Sequence, residues 1–265
     1  MKISRRKLIG DIASFSIFGT ISRLAQSQSR ARRPDPSTFE SGDFVWPKNP
    51  GAFVPYRSES KTSIESDRER WDKEKKDFLE RARRGGIQID EQVIDWIAAL
   101  SYDEFRVRYM MDEDPHGVTP YSSGRGVSVG HVGVIELDEK KEPWIIEALL
   151  ESGVTRSNYS TWIAKRESEL VWHGQLKNTS LTKRMEIAAQ AKAYVSKPYE
   201  FWNFDLADDS GFYCSKLVWL ATMKATGIAI DGNLNSSRGF WLSPKQILYS
   251  SKIERRTDPG DYTYE

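Results

Sequence analysis

One cysteine in 265 residues excludes an internal disulfide, so packing alone must hold the fold. Histidine is almost as scarce. His116, His131 and His173 stand without CxxC or HExxH spacing, so no structural zinc, zincin site or other cofactor is expected. There is no excess of charge of one sign, with 39 basic against 38 acidic residues. No basic stripe is interleaved with aromatics, and a nucleic-acid partner is not expected. The longest apolar stretch near the start, Leu8–Ile21, is too short for a stable membrane span. Internal repeats and low-complexity tracts are missing as well.

What is present describes a globular chain, with 38% hydrophobic and 12% aromatic residues and length for one large domain or a domain plus insertion. Charge is uneven along it. Residues 1–27 hold five basic residues and one acidic, which leaves the remainder about three units negative. Arg5-Arg6 followed by Leu8-Ile9 has the form of a twin-arginine export signal, with Ala25-Gln26-Ser27 as the expected cleavage site. That reading expects a folded protein delivered to the bacterial periplasm or outside. Residues 28–39, rich in arginine and proline, are expected to be a linker.

Phe44-Val45-Trp46, stopped by Pro47, predicts a short strand. From Ser58 to Arg84 a charged helix is expected with a thin stripe through Trp71, Phe78, Leu79 and Ala82, and a second helix over Asp90–Leu100. The block 57–125 reads as a helical insertion, either solvated or a lid. Gly126–Leu137 is apolar on both faces and predicts a buried central strand. A turn over Asp138–Pro143 returns it as Trp144–Ala148. Helices over Tyr159–Glu167 and Ser180–Val195, a strand over Leu170–His173 and a tail over 251–265 complete an α+β layout.

The cysteine lies in Ser210-Gly211-Phe212-Tyr213-Cys214-Ser215-Lys216-Leu217-Val218-Trp219, with apolar residues continuing at helical spacing to about Gly227. Ser210 is the expected N-cap. A lone cysteine on an apolar helix face is ordinarily a small buried hydrophobe. At the first turn, however, the helix dipole and unsatisfied N–H groups favour the thiolate. A cysteine nucleophile also needs an imidazole base and a group to orient it. His131, between Gly130 and Gly133, is the best base, while His116 and His173 are expected at the surface. Glu147 in the returning strand is the preferred orienter, with Glu136 as rival on the opposite face. Trp202, Phe204, Trp241 and Tyr249 are aromatic candidates for a cleft or for the core.

Gly42-Asp43-Phe44-Val45, Gly130-His131-Val132-Gly133 and Phe212-Tyr213-Cys214-Ser215 together resemble the permuted papain-like hydrolases of the NlpC/P60 superfamily, in the YiiX/YebB-like amidase branch. The resemblance covers residues 40–56 and 126–250. It implies a circularly permuted fold, a small antiparallel sheet or barrel packed against helices, with histidine and acid preceding the cysteine. Lys216 departs from it, standing where an acidic residue is common. The resemblance implies a cysteine amidase or peptidase with Cys214 as nucleophile, His131 as base and Glu147 as orienter. Its expected substrate is a peptide or amide of the cell envelope, peptidoglycan included. The alternatives are an acyltransferase or thioesterase on lipids, or a non-catalytic envelope-binding module.

Overall fold

A computed structural model describes residues 33–48, 64–87, 89–105, 130–167 and 169–260. The export segment at 1–27, His116 and the first residues of the strand expected from Gly126 lie outside them. The described residues build one open antiparallel sheet of six strands: β1 (Phe44–Lys48), β2 (Gly133–Leu137), β3 (Pro143–Leu149), β4 (Gly153–Asn158), β5 (Leu170–Leu176) and β6 (Ile253–Thr257). Their spatial order is β4-β3-β2-β1-β5-β6. β1 is interior, pairing Phe44 with Val134 of β2 and with Gly174 of β5. Pro47 falls beyond the pairing with β2, which reaches only Phe44 and Val45. A proline is tolerated in an inner strand at such a place.

Side-chain alternation gives the sheet two apolar faces. Phe44, Trp46, Val134, Ile146 and Ala148 join the larger core under α4 (Leu181–Ala193) and α5 (Cys214–Thr226). Val45, Ile135, Ile145 and Val171 pack with Phe39, Tyr159 and Trp162, the last two from α3 (Tyr159–Ala164). β2 is therefore buried on both sides, as its largely apolar run requires. Ser180 caps α4 by accepting a bond from the Lys183 N–H, and Gly227 closes α5 in the left-handed region at φ 71°.

The helices α1 (Ile64–Arg83) and α2 (Glu91–Ala99) contribute to the main core. Trp71 and Phe78 are wholly buried. The Trp71 ring stacks on Phe105 at 4.2 Å and lies 4.7 Å from Trp202. Lys75 sends its ammonium to the carbonyls of Ala98 and Leu100 at the end of α2, where a cation answers the helix dipole. The expectation of a solvated block does not hold for this described part. A charged sequence hides a narrow stripe of large rings, and a narrow stripe suffices when each ring is big.

Other differences are local. Residues 33–39 are ordered, with Asp35 capping a 3-10 turn over Pro36–Thr38 and Arg33 donating to the Arg166 carbonyl. β4 and β6 were not foreseen, because both are edge strands of largely polar sequence. Ser243 caps α6 (Pro244–Leu248) in a reciprocal pair with Gln246, a helix unread in the sequence. No helix among the described residues is long and apolar enough to cross a membrane.

Candidate active site

Glu147 points from β3 into a site that leaves it 2% exposed. One of its oxygens, Oε2, accepts from the Trp162 indole N–H at 2.8 Å and meets His131 Nε2 at 2.8 Å. The Arg166 guanidinium stands 3.5 Å from the same oxygen and lies over the Trp162 ring. Burial alone would raise this carboxyl. His131, Arg166 and Trp162 together outweigh it and hold the group below its ordinary value, as charge-assisted bonds do.

His131 reaches Glu147 because Gly133 lets the two strands approach. A Cβ at Gly133 would stand 2.8 Å from Ile145 Cγ2 and 3.3 Å from the Ile146 carbonyl. The imidazole is also hydrogen-bonded to Cys214. Glu147 occupies Nε2, so Nδ1 is the nitrogen left for the sulfur. Burial disfavours the charged ring, but the Cys214 thiolate and Glu147 reverse that and raise it to about 10.

Cys214 opens α5 and is 6% exposed. Burial by itself pushes the thiol up. The His131 charge and hydrogen bond, the Ser215 hydroxyl 3.8 Å away and the Val132 N–H bring it below its ordinary value. Both shifts favour a thiolate–imidazolium pair at neutral pH. The N-cap is Tyr213, with no side-chain cap bond. Ser210 does not cap the helix as expected; its hydroxyl and N–H both bond to Asp208. An Asx-type turn captures it two residues upstream, leaving the first-turn N–H groups of α5 without a side-chain acceptor. Asp208 is turned towards Asn203 and Asp209 towards Lys197, so neither carboxylate is directed at the sulfur.

The structure thus brings Cys214, His131 and Glu147 together. Glu136 is engaged elsewhere, by Arg156 and Lys192. His173 corrects the surface expectation: it is fully buried on β5 and bonded through Nε2 to Asp43 at 2.8 Å. Its strand continues to Leu176, so it sits mid-strand rather than at an end. Trp202, Phe204 and Trp241 are buried in the core, while Tyr249 is 43% exposed. Sequence reasoning assigned no contact with Glu147 to Trp162 or Arg166. Their signal is the i, i+4 spacing off a short helix, legible only once that helix is known to lie over β3. Among the described residues, no group of three or more histidine, cysteine, aspartate or glutamate side chains could hold a metal ion.

Residues 119–238 match a model of permuted papain-like amidase enzymes, the YaeF/YiiX, C92 family. The uncharacterised protein YiiX of Escherichia coli K12 is 31% identical over 127 residues, 48% of this chain and 59% of that protein. The match therefore spans about three-fifths of the relative's length. A crystal structure described as metalloprotein YiiX from Escherichia coli O157:H7 covers 82% of this chain and 95% of its own, with TM-score 0.45 and 15% identity. Residues 119–238, with His131, Glu147 and Cys214 among them, are thus similar to permuted papain-like amidases of the YaeF/YiiX, C92 family.

Proposed function

We propose that the protein is an exported cysteine amidase acting on peptide amides of the cell envelope, peptidoglycan stem peptides foremost. The observation that carries the chemistry is the buried relay from Glu147 through His131 to Cys214. The thiolate attacks the carbonyl carbon and forms a carbon–sulfur bond, while first-turn N–H groups of α5 receive the oxyanion. Imidazolium Nδ1 then gives its proton to the leaving nitrogen as the carbon–nitrogen bond breaks. A water deprotonated by His131 attacks the thioester, releasing the acid and restoring the thiolate. Glu147 holds the ring in place throughout, and Trp162 and Arg166 hold Glu147. The relative described as a metalloprotein lends no step to this sequence.

Export is supported by the Arg5-Arg6 segment and its apolar run, and the envelope substrate by that address together with the amidase family. Purified protein and Cys214→Ser are to be assayed side by side on purified sacculi and on lipid esters. Wild type is expected to release peptide fragments from sacculi, and the serine variant to release none. Retained hydrolysis by the variant would sink the nucleophile. Turnover of lipid ester alone would sink the amide reading.

A further inference from the structure

Lys216 lies two residues beyond the nucleophile on α5 and is completely buried. Its ammonium donates to the Asn203 carbonyl at 3.4 Å and sits 5.8 Å from the centre of the Phe212 ring. Asn203 in turn spends its side-chain amide on Asp208 at 2.8 Å, the Ser210 hydroxyl at 3.3 Å and the Gly211 carbonyl at 3.5 Å. Alongside, the Glu200 N–H donates to the Phe212 carbonyl at 3.0 Å. One cation therefore ties the 200–211 segment back onto the helix turn that bears Cys214.

That segment is also a wall. Glu200, Phe201 and Trp202 line an open groove of about 660 Å³ against Glu74 and Arg81 of α1, and Trp202, Asn203 and Asp208 line a second of about 690 Å³ beside it. Tyr199 lines the first groove. It bridges Phe212, two residues before Cys214, in a parallel backbone pair, which sets this groove beside the start of the nucleophile's helix.

We propose that Lys216 is a positioning residue for the substrate groove, fixing the 200–211 wall relative to Cys214 through the Asn203 carbonyl. This rests on the amidase reading above and assigns the lysine no contact with the reacting atoms. Charge at this position is held against a cost. Burial pushes the amine down to about 8, although Asp208, Glu200, Asp205 and Asp209 all oppose the fall. From α1, Arg81 is ion-paired with Glu200. A methionine would fill such a site without desolvating a charge, so stability alone does not account for a lysine.

The test compares the full-length wild type with Lys216→Met and Lys216→Arg, using soluble muropeptides released from sacculi as the probe. Because Cys214 is the only thiol in the chain, its rate of alkylation by iodoacetamide reports on the nucleophile independently of the groove. For K216M, KM is expected to rise ~10-fold with kcat and alkylation within ~3-fold of wild type, and K216R should recover most of the loss. Thermal midpoint should be no lower in K216M than in wild type. Wild-type KM should climb above about pH 8 as the amine loses its proton, while K216R stays flat to about pH 9.5. Equal KM in all three proteins overturns the proposal, as does a loss that falls on kcat or on stability and is not rescued by arginine. Should K216M fail to fold, the pH profiles decide, and a flat wild-type KM up to about pH 9.5 overturns it. If wild type leaves muropeptides intact, the amidase reading fails instead. Hydrogen exchange of the 200–211 amides then tests the tie: faster in K216M and restored in K216R supports it, and unchanged exchange ends it.

Discussion

Replacing Glu147 by glutamine isolates what the buried carboxylate does for the imidazole. Its Oε2 faces three donors, with His131 and Trp162 at 2.8 Å and Arg166 at 3.5 Å. Glutamine keeps the shape and one acceptor oxygen, so the ring remains oriented and only the charge is lost. A hydrogen bond to a charged partner contributes ~1.5–3 kcal/mol against ~0.5–1.5 for a neutral one, a difference of about 1–2 kcal/mol at His131. Through the barrier this is a ~5–30-fold loss in amide turnover. Alanine is a poorer probe, because it would leave the buried Arg166 cation only the longer Glu169 contact at 3.7 Å and so add a cost in stability. The assay is iodoacetamide alkylation of the single cysteine across pH, followed by intact mass. Wild type should react below the ordinary thiol value of 9.0 and change again near the imidazole value of about 10. In E147Q the first transition moves up towards the ordinary thiol range and the second moves down. A profile superimposable on wild type would refute the assignment of Glu147 as the partner that keeps His131 charged.

Two further outcomes follow from the same geometry. Gly42→Ala should cost about 2–4 kcal/mol in a denaturant titration, because at φ +85° its Cβ would lie 1.9 Å from the Arg184 carbonyl oxygen. Gly85, at φ +76° with nothing within 4 Å, is the control and should cost only about 1 kcal/mol, the left-handed backbone penalty alone. The second concerns stability against pH. The unfolded pair has lost its last proton above the ordinary thiol value of 9.0, whereas the folded pair keeps one on the raised His131 up to about 10. From 9.0 to about 10 the folded state alone holds the proton, so stability falls as pH rises. Subtracting the curve of Cys214→Ser from wild type should show that alkaline fall, and a featureless difference would rule out the ion pair.

The candidate site groups were legible because their residue types are rare in this chain: one cysteine and three histidines leave few combinations. β2 could be read from its apolar run, and the cysteine helix from its spacing and Gly227. Edge elements were not legible. β4 reads Gly-Val-Thr-Arg-Ser-Asn and β6 Ile-Glu-Arg-Arg-Thr; each pairs with one strand only, so the sheet imposes little pattern on it. Contacts that depend on tertiary placement were equally silent. Nothing local in Asp43 announces His173, 130 residues away. Nor does the polar run before Cys214 reveal that Asp208 takes the hydroxyl of Ser210.

The sheet order also governs when this protein can come into being. β1 emerges first, yet its two neighbours are β2, about ninety residues later, and β5, further still. Until both have left the ribosome, the innermost strand has nothing to pair with, and closing such long loops is slow. Cys214 is made later than either, after His131 and Glu147. A half-made chain therefore holds the imidazole and its carboxylate without a thiol, and on the proposed reading no hydrolytic power precedes α5.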